Sequence, residues 1–434
     1  MSECLKIFSQ GRADSSASHD DDMHKRRIYT FRLATWKSAP FVAVNCEGEA
    51  VEVGDQVEVE VNSIAHGGHC VARFNGQVIF VRHAIPGERV IVEITDKSKN
   101  FARGNCVKVI EASPHRIKPA CKFAHPAGCG GCDFQHIELD HQRTLKAEII
   151  REQFSRLAKL NIEIEVEKVE PTSNWRSRME FTVSENRKLA LHAARSNELV
   201  EIDNCNIAHS NIDIAEINNR RLPVGKKVDV VISSDGDREI VVEGRENLTL
   251  IRENSSGFEF SLNPITFWQS HVSAPKILTD TVKNYAELKL GDHLFDLYGG
   301  AGLFTGSLIN EVGPGGRVTL IESDENAITD ARRSFATMEN VEIVQARVER
   351  ALKDYRAANV VVLDPPRAGA GAAVITAIAK LKPRNIVYVA CDPAALARDT
   401  SYLRDAGFEL KALRAFDLFP MTAHMECVAR FMPA

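Results

Sequence analysis

Ile386-Val-Tyr-Val-Ala-Cys-Asp-Pro393 runs from a β-branched and aromatic stretch into an Asp-Pro helix start. A short apolar run that ends on a small residue reads as a buried parallel strand. Pro393 suits the first turn of a helix, where its missing N–H is no loss. Cys391 therefore stands at the carboxyl end of a strand and beside a helix N-terminus, the edge at which open α/β sheets bind ligands. The helix end is expected to favour thiolate over thiol, and thiolate is the nucleophilic form. Taken alone, the stretch fits a small apolar core cysteine equally well.

The flanking sequence decides between these. From residue 263 to the end, strands alternate with helical patterns: His293 to Tyr298, Val318 to Glu322, Val360 to Asp364, Phe408 to Phe416 and Glu426 to Phe431. That order predicts a doubly wound α/β sheet over 263–434. Asp296-Leu-Tyr-Gly-Gly-Ala-Gly302 is a strand, a Gly-rich turn and a helix start, and Glu322 ends the next strand where an acid takes ribose hydroxyls. The segment Gly300 to Gly306 lacks dinucleotide spacing, and a carboxylate at Asp296 suits a cationic methionine moiety better than a pyrophosphate. S-adenosylmethionine (SAM) is thus favoured over NAD. Asp364-Pro-Pro-Arg367 closes another strand at the same edge, its prolines holding a rigid loop between two charges. Asn263 to Gln269 places an amide before the sheet, and Glu426 opens the last strand, where it can share a cleft with Cys391. An ordinary entry loop and a surface glutamate are the plain readings of those two.

The rest of the chain reads as separate bodies, as 434 residues require. Residues 1–42 are polar and without period, and are expected to be a disordered leader; a start at Met23 or later would make them non-native. Residues 43–112 carry about five short alternating strands with tight turns, which predicts a small OB-like barrel. Its last third is basic through Lys97, Lys99, Arg103, Lys108, Arg116 and Lys118, a candidate RNA groove or simply a solvated face. Net charge is −5, so any nucleic-acid surface must be a local patch. Cys121, Cys129 and Cys132 lie on a Gly-rich loop, and Cys205 is the leading candidate for a fourth ligand; four thiolates suit zinc or an iron–sulfur cluster. Residues 140–160 predict one amphipathic helix with Leu145, Ile149, Phe154 and Leu157 on its apolar stripe. The remainder of 113–262 reads as a sheet-rich middle domain, with Arg176, Arg178, Arg187 and Lys188 solvated or phosphate-facing. Ten cysteines with no export leader point to a reducing, cytoplasmic compartment, and no apolar run approaches membrane-spanning length.

Asp-Leu-Tyr-x-Gly-x-Gly, Asp-Pro-Pro-Arg, the strand-end Cys391 and His424-x-Glu426 together resemble the uracil-C5 RNA methyltransferase family over nearly the whole chain. The resemblance implies a TRAM barrel at 43–112, a central iron–sulfur domain at 113–262 and a class I SAM-dependent methyltransferase domain at 263–434. It implies that the 140–160 helix packs on the catalytic domain. It assigns Gln269, Tyr298, Glu322 and Asp364 to SAM and the cleft, Cys391 as nucleophile and Glu426 as base. Cys121, Cys129, Cys132 and Cys205 become ligands of a [4Fe-4S] cluster, although the first cysteine gap is longer than the family's usual spacing. The implied partner is RNA, 23S ribosomal ahead of transfer RNA. The chemistry asks for these residue types: uracil C5 becomes nucleophilic once a thiolate has added to C6, and a base must then take the C5 proton. The competing readings are a cytosine-C5 RNA methyltransferase, a thiol or flavin-type redox enzyme using the cluster for electron transfer, and a non-catalytic RNA-binding assembly factor. No second cofactor fingerprint supports the redox enzyme, and a pure binder needs neither Cys391 nor Glu426.

Overall fold

Among the described residues the largest sheet has eight strands and is built around the pattern that ends at Cys391. A computed structural model describes residues 50–245 and 248–434; the expected leader, 1–42, and the first residues of the expected barrel, 43–49, lie outside them. In chain order the strands are β1 Gln56–Ile64, β2 Cys70–Phe74, β3 Gln77–Arg82, β4 Arg89–Lys97, β5 Phe101–Glu111, β6 Val166–Lys168, β7 Arg178–Val183, β8 Leu189–His192, β9 Leu199–Glu201, β10 Lys227–Ile232 and β11 Arg238–Val242. They continue as β12 Ile251–Ser255, β13 Phe258–Leu262, β14 His293–Leu297, β15 Arg317–Glu322, β16 Val341–Gln345, β17 Val360–Leu363, β18 Asn385–Ala390, β19 Phe408–Asp417 and β20 Glu426–Pro433.

The eight-stranded sheet has the order β16-β15-β14-β17-β18-β20-β19-β6. From β16 to β18 it is parallel, and β20 pairs antiparallel with both β18 and β19. All residues of β17 and β18 are buried, because helices cover both faces of a parallel sheet. The order reverses between β14 and β17, so a ligand crevice is expected at the carboxyl ends of that pair.

Strands β1–β5 close into a barrel of order β1-β2-β3-β5-β4, as the alternation predicts. Along β1 the valines at 57, 59 and 61 turn inward while the intervening acids face water. The middle segment divides. Strands β11-β10-β7-β8-β9 form their own sheet over a core that includes Phe181, Leu189 and Val230. The hairpin β12–β13 instead buries Ile251, Phe260 and Leu262 against the methyltransferase-like sheet, and helix Leu139–Gln153 and β6 join its other edge. The 113–262 segment therefore does not pack as one body: the apolar sides of 139–168 and 251–262 find their partners in the C-terminal sheet. The helix is shorter than predicted, passing into a wider turn at Phe154–Ala158 that ends at left-handed Lys159. It carries Lys146 on its buried side, where Nζ donates to Asp417 Oδ1 at 2.6 Å and to the Phe419 carbonyl at 3.1 Å. Among the described residues no helix is long and apolar enough to cross a membrane.

Candidate active site

Strand pairing brings the two residues singled out at opposite ends of the C-terminal pattern to one place. Ala390 lies opposite Cys427 in the β18–β20 ladder, so Cys391 leaves β18 beside the first residue of β20, Glu426. Asp364 follows β17, the neighbour of β18 on its other side. Cys391 feels the charges of Glu426, Asp364, Asp392 and Arg367, and Asp364 feels that of Asp296 on β14. Cys391, Glu426, Asp364 and Asp296 thus form one group at the carboxyl edge next to the reversal of strand order.

The electrostatics of this group overturn one expectation. Burial, then the charges of Glu426 and Asp364, push the Cys391 thiol up to about 12, with Arg367 opposing. The adjacent helix N-terminus does not rescue the thiolate, because Asp392 already caps it: the Ala395 N–H donates to Asp392 Oδ1 at 2.8 Å. The resting group is a protonated thiol. Glu426, 4% exposed, is raised well above the ordinary carboxylate range by burial and by Asp364. Asp364 is raised to about 7 by burial and by Asp296.

The glycine turn sits on the other side of the crevice. Asp296 is fully buried and accepts from the Thr305 N–H at 2.9 Å and hydroxyl at 2.7 Å; burial raises it to about 6. Its Oδ1 has no partner among the described residues, a buried acceptor left open. A Cβ at Gly299 would stand 2.8 Å from Leu320 Cγ, so glycine is what lets the turn close over the sheet. Glu322 accepts from the Gly300 N–H at 3.1 Å and the Asp324 N–H at 2.8 Å. Tyr298 takes a left-handed backbone at φ 58° and its hydroxyl is pushed up to about 12, chiefly by burial. Gln269 is half-buried before helix Ala274–Ala286, and its amide bonds to no described residue. Its loop is held by Arg178, which donates to the carbonyls of Pro264 at 3.0 Å and Thr266 at 3.1 Å. Arg178 also pairs with Glu253 at 2.8 Å, and Arg187 and Lys188 donate to the carbonyls of Leu222 and Asn218. These cations are tied to the fold through carbonyls and, for Arg178, a carboxylate.

Cys121, Cys129, Cys132 and Cys205 line a single cavity of about 270 Å³, together with Arg176 and the Gly130–Gly131 turn. Burial raises Cys129 and Cys205 and pushes Cys132 up to about 12. A Cβ at Gly130 would lie 2.7 Å from the Ala194 nitrogen, so the loop can pass there only as glycine. The sulfurs surround the cavity without converging on a point: among the described residues no three Cys, His, Asp or Glu side chains are grouped closely enough to hold an ion.

Two features have no signature in the sequence. Nε2 of His66, on the β1–β2 turn, lies 2.9 Å from Asp392 Oδ2, joining the barrel to the residue after Cys391 across 326 positions. A concavity of about 300 Å³ is lined by His69, Arg82, Asp96, Arg103 and, from the loop after β8, Arg195. Arg82 pairs with Asp133 and Arg103 with Asp96, whereas Arg195 pairs with no described residue. Lys97, Arg103 and Arg116 are visible in sequence as a basic run; that three arginines from two bodies meet is not, since Arg195 stands alone in its segment.

Comparison with known proteins is consistent with this geometry. Residues 50–107 match the TRAM domain family, and residues 227–431 match the family model described as tRNA (Uracil-5-)-methyltransferase. A Streptomyces coelicolor protein named as an uncharacterized RNA methyltransferase is 38% identical over 88% of this chain and 94% of its own length. A Bifidobacterium longum protein of the same name is 36% identical over 87% of this chain and 96% of its own. The crystal structure of Pyrococcus abyssi tRNA (uracil-54, C5)-methyltransferase in complex with S-adenosyl-L-homocysteine shares the fold, with a TM-score of 0.67, 21% identity and coverage of 86% of this chain and all of that one. The chain belongs to the uracil-5 RNA methyltransferase family.

Proposed function

We propose that this enzyme transfers a methyl group from SAM to C5 of a uridine in RNA, with Cys391 as nucleophile and Glu426 as base. The observation that carries the reading is the β18–β20 register, which seats a thiol and a buried carboxylate side by side at the ligand-binding edge. Cys391 gives up its thiol proton to water as Sγ adds to C6, leaving an enolate whose C5 takes the methyl; Glu426 then removes the C5 proton, the C5–C6 double bond re-forms and the thiolate leaves. The proton affinity that burial gives Glu426 suits an acceptor of a carbon-bound proton. SAM supplies a sulfonium-bound methyl and one positive charge. The open Asp296 Oδ1, the Glu322 carboxylate, the Gly299–Gly300 turn, Tyr298 and the free amide of Gln269 are a donor and acceptor set that fits its amino-acid and ribose ends. Phe267, 71% exposed two residues before Gln269, offers a face on which a base can stack.

The reactive base has to leave its stack, at a few kcal/mol, so an unpaired uridine is the expected target. The arginine-lined concavity beside the barrel is the proposed track for flanking phosphates. Incubation with labelled SAM and unmodified RNA, followed by nucleoside mapping, tests the reading: 5-methyluridine is expected with wild type and none with Cys391→Ala. Turnover by Cys391→Ala, or label in 5-methylcytidine, refutes it. Fractionating the labelled RNA by size before digestion separates 23S ribosomal RNA, the first expectation, from transfer RNA.

Four thiols about one cavity beside the Arg176 guanidinium, Cys129, Cys132 and Cys205 of them raised by burial, also fit a [4Fe-4S] cluster held by Cys121, Cys129, Cys132 and Cys205. Thiols so placed are costly as free thiolates and gain from a metal centre whose positive charge offsets theirs. Zinc is the competing metal. Anaerobic protein is expected to hold about four irons per chain; stoichiometric zinc without iron would overturn the cluster.

A further inference from the structure

We infer that His66, carried by the TRAM barrel, is a positioning residue for Cys391: it holds Asp392 and balances its charge, so that the thiol is fully competent only while the barrel is docked. The inference rests on the proposal that Cys391 is the nucleophile.

Asp392 is bound on both sides. Oδ1 caps helix Pro393–Asp405 through the Ala395 N–H, and Oδ2 lies 2.9 Å from His66 Nε2. The carboxylate fixes the chain one residue beyond Cys391, so anything that moves it moves the sulfur. It is also one of three acids whose charge opposes thiolate formation, against Arg367 alone. A protonated His66 turns Asp392 into a neutral pair and removes that share of the opposition.

The loop that delivers His66 is built to stay in place. Ala65 N–H donates to the His69 carbonyl at 2.8 Å and Gly68 N–H to the Ala65 carbonyl at 3.0 Å, closing a tight turn. Gly68 has φ +78°, and a Cβ there would fall 2.3 Å from Ala423 Cβ and 3.2 Å from Phe134. The turn therefore presses on the loop that leads into Glu426, and Phe134 N–H in turn donates to the Met421 carbonyl at 2.9 Å. One barrel turn thus touches the approaches to both the thiol and the carboxylate. The hydrogen bond to Asp392 raises His66 above the ordinary imidazole range against the pull of burial; Arg156 lowers it and Glu152 raises it, and these two are themselves paired at 3.0 Å. The cation is present below the His66 pKa and is lost as pH rises through it.

The test is alkylation of full-length protein by iodoacetamide, read by mass spectrometry on the Cys391 peptide, with SAM binding as a check on folding. His66→Gln keeps a hydrogen-bond donor without the charge, and His66→Ala removes both. Both are expected to slow Cys391 alkylation about three- to tenfold at mildly acidic pH, the ratio to wild type shrinking as pH rises through the His66 titration. Asp392→Asn in the His66→Ala background keeps a capping side chain, removes the unbalanced charge and is expected to restore the rate. A folded His66→Gln protein within about twofold of wild type across the pH range, or a double variant no faster than His66→Ala, overturns the inference. Neither result depends on turnover. Persistent methyl transfer by Cys391→Ala would instead remove the nucleophile while leaving the alkylation comparison standing.

Discussion

Replacing Glu426 by Gln separates the two halves of the proposed reaction. The amide has the same shape, so packing in a site only 4% exposed is preserved. What changes is charge and proton affinity. Burial is the first cause holding the Cys391 thiol protonated and Glu426 the second, and a neutral amide adds no opposing charge, so addition to C6 should be at least as easy in the variant. Removal of the C5 proton has lost its acceptor, and a positioned base is typically worth about 10²–10⁴ in rate. That corresponds to about 3–5.5 kcal/mol on the elimination barrier. Unimpeded entry and blocked exit mean that the protein–RNA adduct accumulates. The assay is a denaturing gel with end-labelled RNA and SAM, run beside steady-state turnover: a shifted, SAM-dependent band is expected with Glu426→Gln and no band with the Cys391→Ala, Glu426→Gln double variant. The buried amide leaves a donor to be satisfied, at about 1–3 kcal/mol of stability, which thermal unfolding will show. Turnover within about tenfold of wild type with no shifted band would refute Glu426 as the base.

Three other outcomes are expected. Asp364 has a folded pKa of about 7 against an ordinary carboxylate value near 4, so between those limits the unfolded chain releases its proton first and stability falls as pH rises. Asp364→Asn should make the slope between pH ~4 and ~7 shallower, with raised Asp296 and Glu426 supplying the remainder, and a wild-type slope retained in full would exclude Asp364 as one of its sources. Arg195→Glu should weaken RNA binding and lower the slope of log affinity against log salt by about 0.7 for each single-strand phosphate no longer neutralised, with SAM binding unchanged; an unaltered slope in a salt titration would remove the concavity from the RNA path. Gly68→Ala strains a positive φ and drives a methyl into Ala423, so a loss of about 1–3 kcal/mol is expected by denaturant unfolding, and none would show that the barrel turn yields freely.

The parts of the fold legible in sequence are those whose period is enforced by burial on a local scale. The β-branched run at Val360–Leu363 is bounded to within a residue because every position is pressed into a core, whereas the alternation read from Glu52 to Val61 finds its strand but not the ends, which fall at Gln56 and Ile64. Strand β16 carries no such signal: Val341–Gln345 sits at the sheet edge with only partly buried side chains, and an edge strand imposes no clear alternation. Strand β6 has three residues and owes its existence to pairing with β19, some 250 positions away, which no local pattern encodes. Lys146 reads as a polar break in a helix stripe, because its partner Asp417 lies 271 residues on. The site residues follow the same rule. Strand ends announce the proposed site residues Cys391, Asp364 and Glu426, whereas the state of the thiol cannot be read from its own helix, since burial, then Glu426 at the start of β20 and Asp364 just after β17, raise it.

The charge arrangement around Cys391 argues for a particular order of events on the proposed reading. Burial, and then three acids against a single arginine, disfavour an ionised sulfur. A permanently ionised cysteine would be open to oxidation and stray alkylation, and a protonated one is not. What the site lacks is positive charge, and two sources of it are external to the methyltransferase sheet: the sulfonium of the donor and His66 of the barrel, 2.9 Å from Asp392. Both are in place only when donor is bound and the barrel is seated, which is also when an RNA strand lying against the barrel can deliver its base. The nucleophile is then at its most reactive with both reactants at hand. Iodoacetamide labelling of Cys391 should accordingly accelerate on adding sinefungin, a cationic donor analogue with no methyl to transfer. Labelling that slows in proportion to the analogue's occupancy, with no faster phase at partial saturation, would show that the donor shields the thiol without charging it.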